Sequence, residues 1–322
     1  MKDLLRIADL TPDDLTHLLR LSEEVRRDPH ARPELLGGDT VITYFAKPST
    51  RTRLSFGSAI SHLGGVPEIV GPTELQLGRG ETIEDTARVV SRYARAFVIR
   101  TFDDDDVRRF ATAASIPVIN ALTDRHHPCQ ALADLLTLEQ HFGQLAGLKL
   151  AYLGDGNNVA HSLMEACALA GIDIAVATPV GYEPDPDIEE VASKLAAHSG
   201  SIVQVTHDPL VAAANANAVY TDVWLSMGDS DDERTTRKEA LGSYQVNEAV
   251  MAEAAADAVF MHCLPAHRGE EVSARVIDGP ASVVLDEAEN RMHTAQALLI
   301  ALLGGELAGA TNLTSAAVWC ES

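Results

Sequence analysis

Short runs of β-branched and aromatic residues alternate with segments of helical period along most of the chain. In the first half these runs fall at residues 41–45, 67–70, 96–100 and 117–120. In the second half they fall at residues 148–153, 172–177, 201–206, 218–224, 258–264 and 282–286. Strands that alternate with helices are typical of parallel sheets covered on both faces. The pattern predicts an α/β fold with two domains, each a parallel sheet flanked by helices.

Helical segments in the middle and at the end of the chain predict how the two halves are joined. Residues 128–145 predict a long helix that connects one domain to the other, with its end expected at 145–147. A last helix from residue 293 has apolar positions that need burial, so we expect it to pack back on the first domain. The predicted domains are residues 1–143 with a helix at about 291–304, residues 144–290, and a tail of unknown order at 305–322.

Composition narrows the classes of partner. The chain has 322 residues, 46% of them hydrophobic, which is enough for two cores. A net charge of −22 argues against nucleic acid or an anionic membrane as a partner. The sequence shows no apolar stretch of membrane length and no signal segment, so we expect a cytoplasmic protein. The four cysteines have no metal-ligand spacing, so neither zinc nor disulfides are expected.

Polar and charged residues follow the predicted strands in both halves. These positions are residues 47–53, Arg100, Asn120, residues 125–130, residues 154–158, Asp222 and residues 262–265. In open parallel sheets, ligands bind beyond the carboxyl ends of the strands. We therefore expect a cleft where the two domains face each other across this edge.

Residues 49–53, with the sequence STRTR, begin a predicted helix whose apolar positions follow the helical period. Free N–H groups, the hydroxyls of Ser49, Thr50 and Thr52, and the guanidinium of Arg51 would converge there. Such a set suits a phosphate dianion. The alternative is a capping serine beside arginines that face solvent.

Three further positions at strand ends are candidates for contacts with a substrate. His127 and Gln130 could hold and polarise a carbonyl oxygen, although a lone histidine is more often structural. Asp222 suits an ammonium group, with a helix cap or an internal ion pair as the alternative. Cys263 is most simply a buried small hydrophobic residue that lies at the same edge.

The sequence GDGNN at residues 154–158 follows a strand and begins a helix, as in dinucleotide-binding folds. The third glycine of that fingerprint is missing, and the next strand ends without the acidic residue that binds a ribose. A nicotinamide cofactor is therefore not predicted, and we expect the asparagines to recognise a polar small molecule.

Six motifs in order resemble the transcarbamylase family from about residue 4 to about residue 303. They lie at residues 49–53, 127–130, 154–158, 222–228, 262–265 and 288–293. The resemblance implies two α/β domains, with carbamoyl phosphate bound mainly by the first and an amino acid by the second. It implies no cofactor and no metal, and a homotrimer or an assembly of trimers with sites at subunit interfaces.

The resemblance also implies the roles of individual residues. The carbamoyl phosphate site would contain Ser49, Thr50, Arg51, Thr52, Arg100, His127, Gln130, Cys263, Leu264 and Arg291, and Gln76 from a neighbouring subunit. The amino acid site would contain Asn158, Asp222, Ser226 and Met227. Catalysis would rest on Arg51, Arg100, His127, Gln130, Asp222 and Cys263.

The acceptor is the variable feature within the family. Residues 226–228 are typical of ornithine-specific members, while putrescine-specific members lack them and aspartate-specific members carry a lysine near Gln76. Transfer of a carbamoyl group to the δ-amine of L-ornithine, in arginine metabolism, is therefore expected. Two alternatives stay open: an oxidoreductase built on the second half, and a non-catalytic relative that has kept only the carbamoyl phosphate pocket.

Overall fold

The computed structural model of the protein describes residues 1–75, 80–225 and 231–304. Four parallel strands in the first half form one sheet in the order β2-β1-β3-β4. They are β1 (Thr40–Phe45), β2 (Val66–Val70), β3 (Ala94–Arg100) and β4 (Val118–Leu122). The register pairs Phe45 with Arg100, so the loop after β1 and the end of β3 lie at the same edge.

Five parallel strands in the second half form a separate sheet in the order β7-β6-β5-β8-β9. They are β5 (Lys149–Leu153), β6 (Asp173–Ala177), β7 (Val203–Thr206), β8 (Ala218–Tyr220) and β9 (Val259–Met261). Tyr220 pairs with Met261, which brings the segments after β8 and β9 side by side. The predicted α/β fold, with a parallel sheet in each half, is confirmed.

The helices lie between the strands in the sequence. They are α1 (Pro12–Arg27), α2 (Arg51–His62), α3 (Ile83–Val90), α4 (Asp104–Ala113), α5 (Pro128–Phe142), α6 (Asn158–Ala170), α7 (Pro186–Ser199), α8 (Pro209–Ala213), α9 (Asp231–Leu241), α10 (Glu248–Glu253), α11 (Ala274–Ile277) and α12 (Val284–Leu302). Throughout the part of the chain that the structure describes, each helix is too short or too polar to cross a bilayer.

Two boundaries differ from the sequence prediction. The segment 282–286 is not a strand: only Ser282 bridges to Phe260, and α12 begins at Val284. The acidic residues that follow Val284 favour the positive end of the helix dipole, and this outweighs the β-branched residues of the segment. Helix α5 ends at Phe142, because Gly143 takes a left-handed conformation with φ of 77° and caps it.

A hydrophobic cluster extends through both halves of the molecule. It includes Phe56 of α2, Leu135 of α5, Leu163 of α6 and Leu298 of α12, all of them buried. Helix α12 packs against α1, α2 and α5, and α5 also contacts α6. Helices α5 and α12 therefore lie where the two sheets meet, and side chains at their N-terminal ends reach the edge where the strands of both sheets end.

Candidate functional site

Helix α2 begins at Arg51, directly after Ser49 and Thr50. Thr50, at the cap position, has helical backbone angles and makes no side-chain capping hydrogen bond. The first-turn N–H groups, which a cap would otherwise satisfy, are thus left for another acceptor. Thr52 is buried, and its Oγ1 accepts a hydrogen bond from Arg291 Nη2 at 2.9 Å. The start of α2 therefore has donors and a helix dipole suited to an anion.

The basic residues around this helix start do not all point to one place. The Lys47 ammonium forms an ion pair with Asp124 and lies 4.3 Å from the centre of the Phe102 ring. Arg53 is exposed, whereas Arg51 is only partly so. Of these three cations, Arg51 is therefore the one that the fold holds at the inner side of the helix start.

Arg51, Arg100 and Arg291 form a group of cations without a neutralising carboxylate contact among the described residues. The Arg100 Nε is buried and has no hydrogen-bond partner there. Burial lowers the pKa of Arg51, and burial together with the charge of Arg291 lowers the pKa of Arg100 to about 10. Arg51 and Arg100 stay charged at neutral pH, and the proximity of the three guanidinium groups is unfavourable. A bound dianion would remove that cost.

His127 lies beside these arginines at the N-terminal end of α5. It is buried, and its backbone N–H donates to Ser162 Oγ at 2.7 Å. Burial, and then the charges of Arg291, Arg100 and Arg51, hold its pKa well below the ordinary value. The Nδ1 atom is buried without a partner in the described part of the chain. A neutral imidazole with an unused ring nitrogen can donate to or accept from a substrate atom.

The amide of Gln130 is fixed by its neighbours. Its Nε2 donates to Asp134 Oδ1 at 2.8 Å and to Glu287 Oε1 at 2.9 Å, which uses both of its N–H bonds. Its Oε1 accepts from Arg291 Nη1. The sequence predicted that Gln130 helps to polarise a carbonyl oxygen, but an amide with both N–H bonds occupied has no donor left for that oxygen. The free lone pair on its oxygen suits the NH₂ of a carbamoyl group instead.

Asp222 and Cys263 are in contact at the ends of β8 and β9. The Cys263 thiol donates to Asp222 Oδ1 at 3.0 Å, and Asn157 Nδ2 donates to Asp222 Oδ2 at 2.9 Å. Burial, and next the charge of Asp222, raise the pKa of Cys263 well above its ordinary value. The thiol is therefore protonated, and Asp222 presents a carboxylate that suits an ammonium or amine group.

The segment after β9 has an unusual backbone conformation at Leu264. Leu264 has φ of 57°, which is unusual for a residue with a branched side chain, and the bond to Pro265 is cis. The backbone N–H of Leu264 donates to His262 Nδ1 at 2.8 Å, and His262 Nε2 lies 3.3 Å from Glu271 Oε1. These contacts hold the backbone of Cys263 and Leu264 in one orientation, as is common at functional sites.

Asn158 makes a hydrogen bond within the protein. Its Nδ2 donates to the backbone oxygen of Thr123 at 2.6 Å, which ties α6 to the loop after β4. The neighbouring Asn157 is the asparagine that reaches Asp222, and it also caps α6. The remaining predicted site residues, Gln76, Ser226 and Met227, lie outside the described residues, as does the tail 305–322.

Three polar side chains under the site were not predicted from the sequence. Asp134, Tyr220 and Glu287 are all fully or almost fully buried. Asp134 stands four residues after Gln130, between the apolar residues 131–133 and 135–136, so a polar residue at a buried helical position was the available signal. Glu287 gave no such signal, because its helix was predicted to begin later.

Asp222, His262 and Cys263 present possible metal-ligand atoms within 4.8 Å of one another. Both ring nitrogens of His262 are already occupied, by the Leu264 N–H and by Glu271. The raised pKa of the Cys263 thiol also disfavours the thiolate that a metal needs. These residues fit amine binding better than metal binding.

Two family descriptions match almost the whole chain. "Aspartate/ornithine carbamoyltransferase, carbamoyl-P binding domain" matches residues 2–140. "Aspartate/ornithine carbamoyltransferase, Asp/Orn binding domain" matches residues 146–302.

Three proteins similar to this chain are named ornithine carbamoyltransferase. The ornithine carbamoyltransferase of Parafrankia sp. is 54% identical over 307 residues, covering 94% of this chain and 96% of that protein. The one from Acidothermus cellulolyticus is 50% identical over 295 residues, covering 92% and 94%. The solved structure from Pyrococcus furiosus has a TM-score of 0.91 at 47% identity, covering 95% and 98%. The chain therefore belongs to the aspartate/ornithine carbamoyltransferase family.

Proposed function

We propose that this chain is an ornithine carbamoyltransferase, which transfers the carbamoyl group of carbamoyl phosphate to the δ-amine of L-ornithine. The products are L-citrulline and inorganic phosphate. The observation that carries the proposal is the group formed by Arg51, Arg100 and Arg291, which stands without a carboxylate partner in the described chain. The similar proteins that carry this name support the choice of reaction.

The phosphate would bind at the start of α2. Ser49, Thr50, Arg51 and Thr52 supply hydroxyls, a guanidinium and the uncapped N–H groups there. Thr52 already accepts a hydrogen bond from Arg291, so its hydroxyl hydrogen stays available for an anion oxygen.

The carbamoyl group would lie between the two sheets. Arg100 and His127 would donate to its carbonyl oxygen, and Gln130 Oε1 would accept from its NH₂. The pocket would be completed by Arg291, the backbone of Leu264 and the side chain of Cys263. Neutral His127 fits this role, because an uncharged imidazole still has one N–H group that can donate a hydrogen bond to the carbonyl oxygen.

The amino acid would bind on the second half. Asp222 and Cys263 would orient the δ-amine, and Asn158, Ser226 and Met227 would bind the other end of ornithine. In the structure Asn157 holds the Asp222 carboxylate at 2.9 Å, so it supports this side of the site as well.

Catalysis would depend on positioning and on charge. The deprotonated δ-amine attacks the carbamoyl carbon and forms a C–N bond while negative charge develops on the carbonyl oxygen. Arg51, Arg100 and His127 stabilise that oxygen. The C–O bond to phosphate then breaks, and the departing phosphate takes the proton that the amine loses.

The assembly and the wider setting are parts of the same proposal. We infer a homotrimer or an assembly of trimers in which Gln76 reaches a neighbouring site. Exposed apolar side chains in the first half, Leu54 at 65% and Tyr93 at 74% exposure, are available for such contacts. The domain division at residue 143, a cytoplasmic location and a role in arginine biosynthesis stay predictions from the sequence.

One assay tests the reaction. Purified protein is incubated with carbamoyl phosphate and, in separate samples, ornithine, putrescine, N-acetylornithine and aspartate, and the ureido product is measured. We expect citrulline from ornithine at a rate far above the other acceptors. A protein that binds carbamoyl phosphate but forms no ureido product would instead be the non-catalytic relative, and reaction with putrescine or aspartate would reassign the acceptor.

A further inference from the structure

Glu287 connects three elements of the fold through one carboxyl group. It lies in the first turn of α12 and is 1% exposed. Its Oε1 accepts from Gln130 Nε2 at 2.9 Å and from the Tyr220 hydroxyl at 3.0 Å. Its Oε2 accepts from the backbone N–H of His262 at 3.0 Å. The Glu287 side chain thus contacts Gln130 of α5, which is proposed to bind the carbamoyl group, and the backbone of the segment that carries Cys263.

Asp134 is the second carboxyl of this network. It is fully buried, and its Oδ1 accepts from the same nitrogen of Gln130 at 2.8 Å. Burial raises the pKa of Asp134 to about 7, while burial and the charge of Asp134 raise the pKa of Glu287 well above its ordinary value. Two neighbouring buried carboxylates would repel each other, so the pair keeps a proton at neutral pH.

The two carboxyls differ in their hydrogen bonds. Glu287 accepts from three donors, whereas Asp134 accepts from one, and Asp134 Oδ2 is buried without a partner in the described chain. Whichever carboxyl holds the shared proton, Asp134 Oδ1 and Glu287 Oε1 are the oxygens that accept from Gln130.

The pair determines which atom of Gln130 faces Arg291. With both N–H bonds of Gln130 directed to carboxyl oxygens, its Oε1 turns to Arg291 Nη1. The opposite amide orientation would place Oε1 against oxygens of Asp134 and Glu287 and turn an N–H toward a guanidinium. That orientation would lose favourable contacts and create repulsive ones.

We propose that Glu287 is a positioning residue that fixes the Gln130 amide oxygen toward the carbamoyl pocket and holds the His262 backbone in register with it. Glu287 touches no substrate and acts through these two neighbours. The inference rests on the proposed function, because the orientation of Gln130 matters only if a carboxamide binds beside the phosphate.

The test compares two ligands that differ by a carboxamide. Phosphonoacetamide has the shape of carbamoyl phosphate but cannot transfer a carbamoyl group, and inorganic phosphate lacks the carboxamide. Dissociation constants of both are measured by calorimetry with the full-length protein. For Glu287→Gln we expect phosphonoacetamide to bind about tenfold or more weakly, because one amide oxygen cannot accept from Gln130, Tyr220 and His262 together. Phosphate should change by less than about threefold, since surrounding phosphate contacts stay in place.

Two matched variants separate positioning from general damage. Asp134→Asn keeps the shape of the side chain and one oxygen that can accept from Gln130, while Glu287 still accepts the other N–H, so phosphonoacetamide affinity should stay within about threefold of the parent. Glu289→Gln changes an exposed glutamate of the same helix and should leave both affinities unchanged. A double-mutant cycle adds Gln130→Ala. When Gln130 is already replaced, Glu287→Gln should have little further effect on phosphonoacetamide affinity.

The outcomes are distinct. Equal loss of both ligands in Glu287→Gln, or unchanged selectivity between them, would overturn the positioning role, and so would full additivity in the cycle. If Glu287→Gln does not fold, the Asp134→Asn and Gln130→Ala pair still decides, because a loss in Asp134→Asn as large as that in Gln130→Ala would show that Asp134, and not Glu287, fixes the amide of Gln130. Failure of the proposed function would appear separately, as absence of ureido product with the parent protein.

Discussion

The Cys263 thiol and the Asp222 carboxylate are joined by a hydrogen bond of 3.0 Å, and this contact links the ends of two adjacent parallel strands. Strand pairing places Tyr220 opposite Met261, so residues two positions further along each strand meet at the sheet edge. The proposed amine site is thus a product of strand register, with Asn157 from the start of α6 holding the other carboxylate oxygen.

Replacing Asp222 tests the acceptor side of the site. Asp222→Asn keeps the shape of the side chain but removes the charge that would attract the amine of ornithine. We expect the KM for ornithine to rise about tenfold or more, as for loss of a charge-assisted hydrogen bond, while the KM for carbamoyl phosphate changes little. Steady-state kinetics with each substrate varied in turn measures both. Asp257→Asn, at an exposed position, is the control, and a selective rise in the KM for carbamoyl phosphate would contradict the assignment.

Replacing Arg51 tests the carbamoyl phosphate side. Arg51→Ala removes the guanidinium at the start of α2, and we expect kcat/KM to fall at least 10²-fold, on the scale of a lost oxyanion donor. Arg53→Ala is a matched control two residues along, because Arg53 is exposed. Near-parental kcat/KM in Arg51→Ala would remove Arg51 from the proposed mechanism.

The group of Arg51, Arg100 and Arg291 also predicts a change in thermal stability. A dianion that binds the folded state stabilises it by about 2.7 kcal/mol at a concentration of 100 Kd. Inorganic phosphate should therefore raise the Tm by several degrees, relative to sodium chloride at equal ionic strength. Differential scanning calorimetry of the parent and of Arg100→Gln measures the effect. An equal shift in the two proteins would show that phosphate stabilises the fold somewhere else.

The sequence predicted the sheets and the edge at which the site lies, because alternating strands and helices have few packing solutions and ligands bind beyond strand ends. It also placed Arg51, Arg100, His127 and Cys263 at that edge. It could not give the orientation of the Gln130 amide, since that depends on side chains far away in the sequence.

Asn157 and Asn158 illustrate the same limit. Adjacent residues at a helix start point in different directions, and only the tertiary contacts decide which one reaches Asp222 and which one bonds to Thr123. The start of α12 was missed for a related reason. The β-branched run 282–286 favours a strand locally, but the fold leaves only one bridge there.

The turn that ends α2 provides a stability test with an internal control. Gly64 has φ of +76°, and a Cβ added there would lie 1.8 Å from the backbone oxygen of Pro33. Gly64→Ala should lower the free energy of unfolding by at least about 2 kcal/mol, because the left-handed conformation and the clash both oppose a side chain. Gly57→Ala, inside the same helix with nothing within 4 Å of the new Cβ, should raise it by about 0.5–1 kcal/mol. Urea unfolding measures both, and similar effects of the two variants would contradict the structure around Gly64.

The last prediction concerns pH. Only the neutral δ-amine of ornithine can attack, and its pKa is expected to resemble that of lysine, at about 10.4. The pKa of His127 is lowered by burial and by the neighbouring arginines, so its imidazole stays neutral at every pH above that lowered value. Between about pH 6 and 9 the deprotonation of ornithine should therefore be the one titration that changes the rate, and kcat/KM for total ornithine should rise about tenfold per pH unit.

The contribution of His127 is separable from this slope. His127→Asn replaces a neutral donor with another neutral donor of different reach, so it should lower kcat/KM at each pH while leaving the slope unchanged. Initial rates in buffers of constant ionic strength, with carbamoyl phosphate saturating, measure the two profiles. An inflection near pH 6.5, the ordinary pKa of histidine, that is present in the parent and absent in His127→Asn would show that His127 titrates in this range. That result would overturn the proposed role of His127 as a neutral donor to the carbamoyl oxygen, because the rate would then depend on whether its imidazole carries a proton.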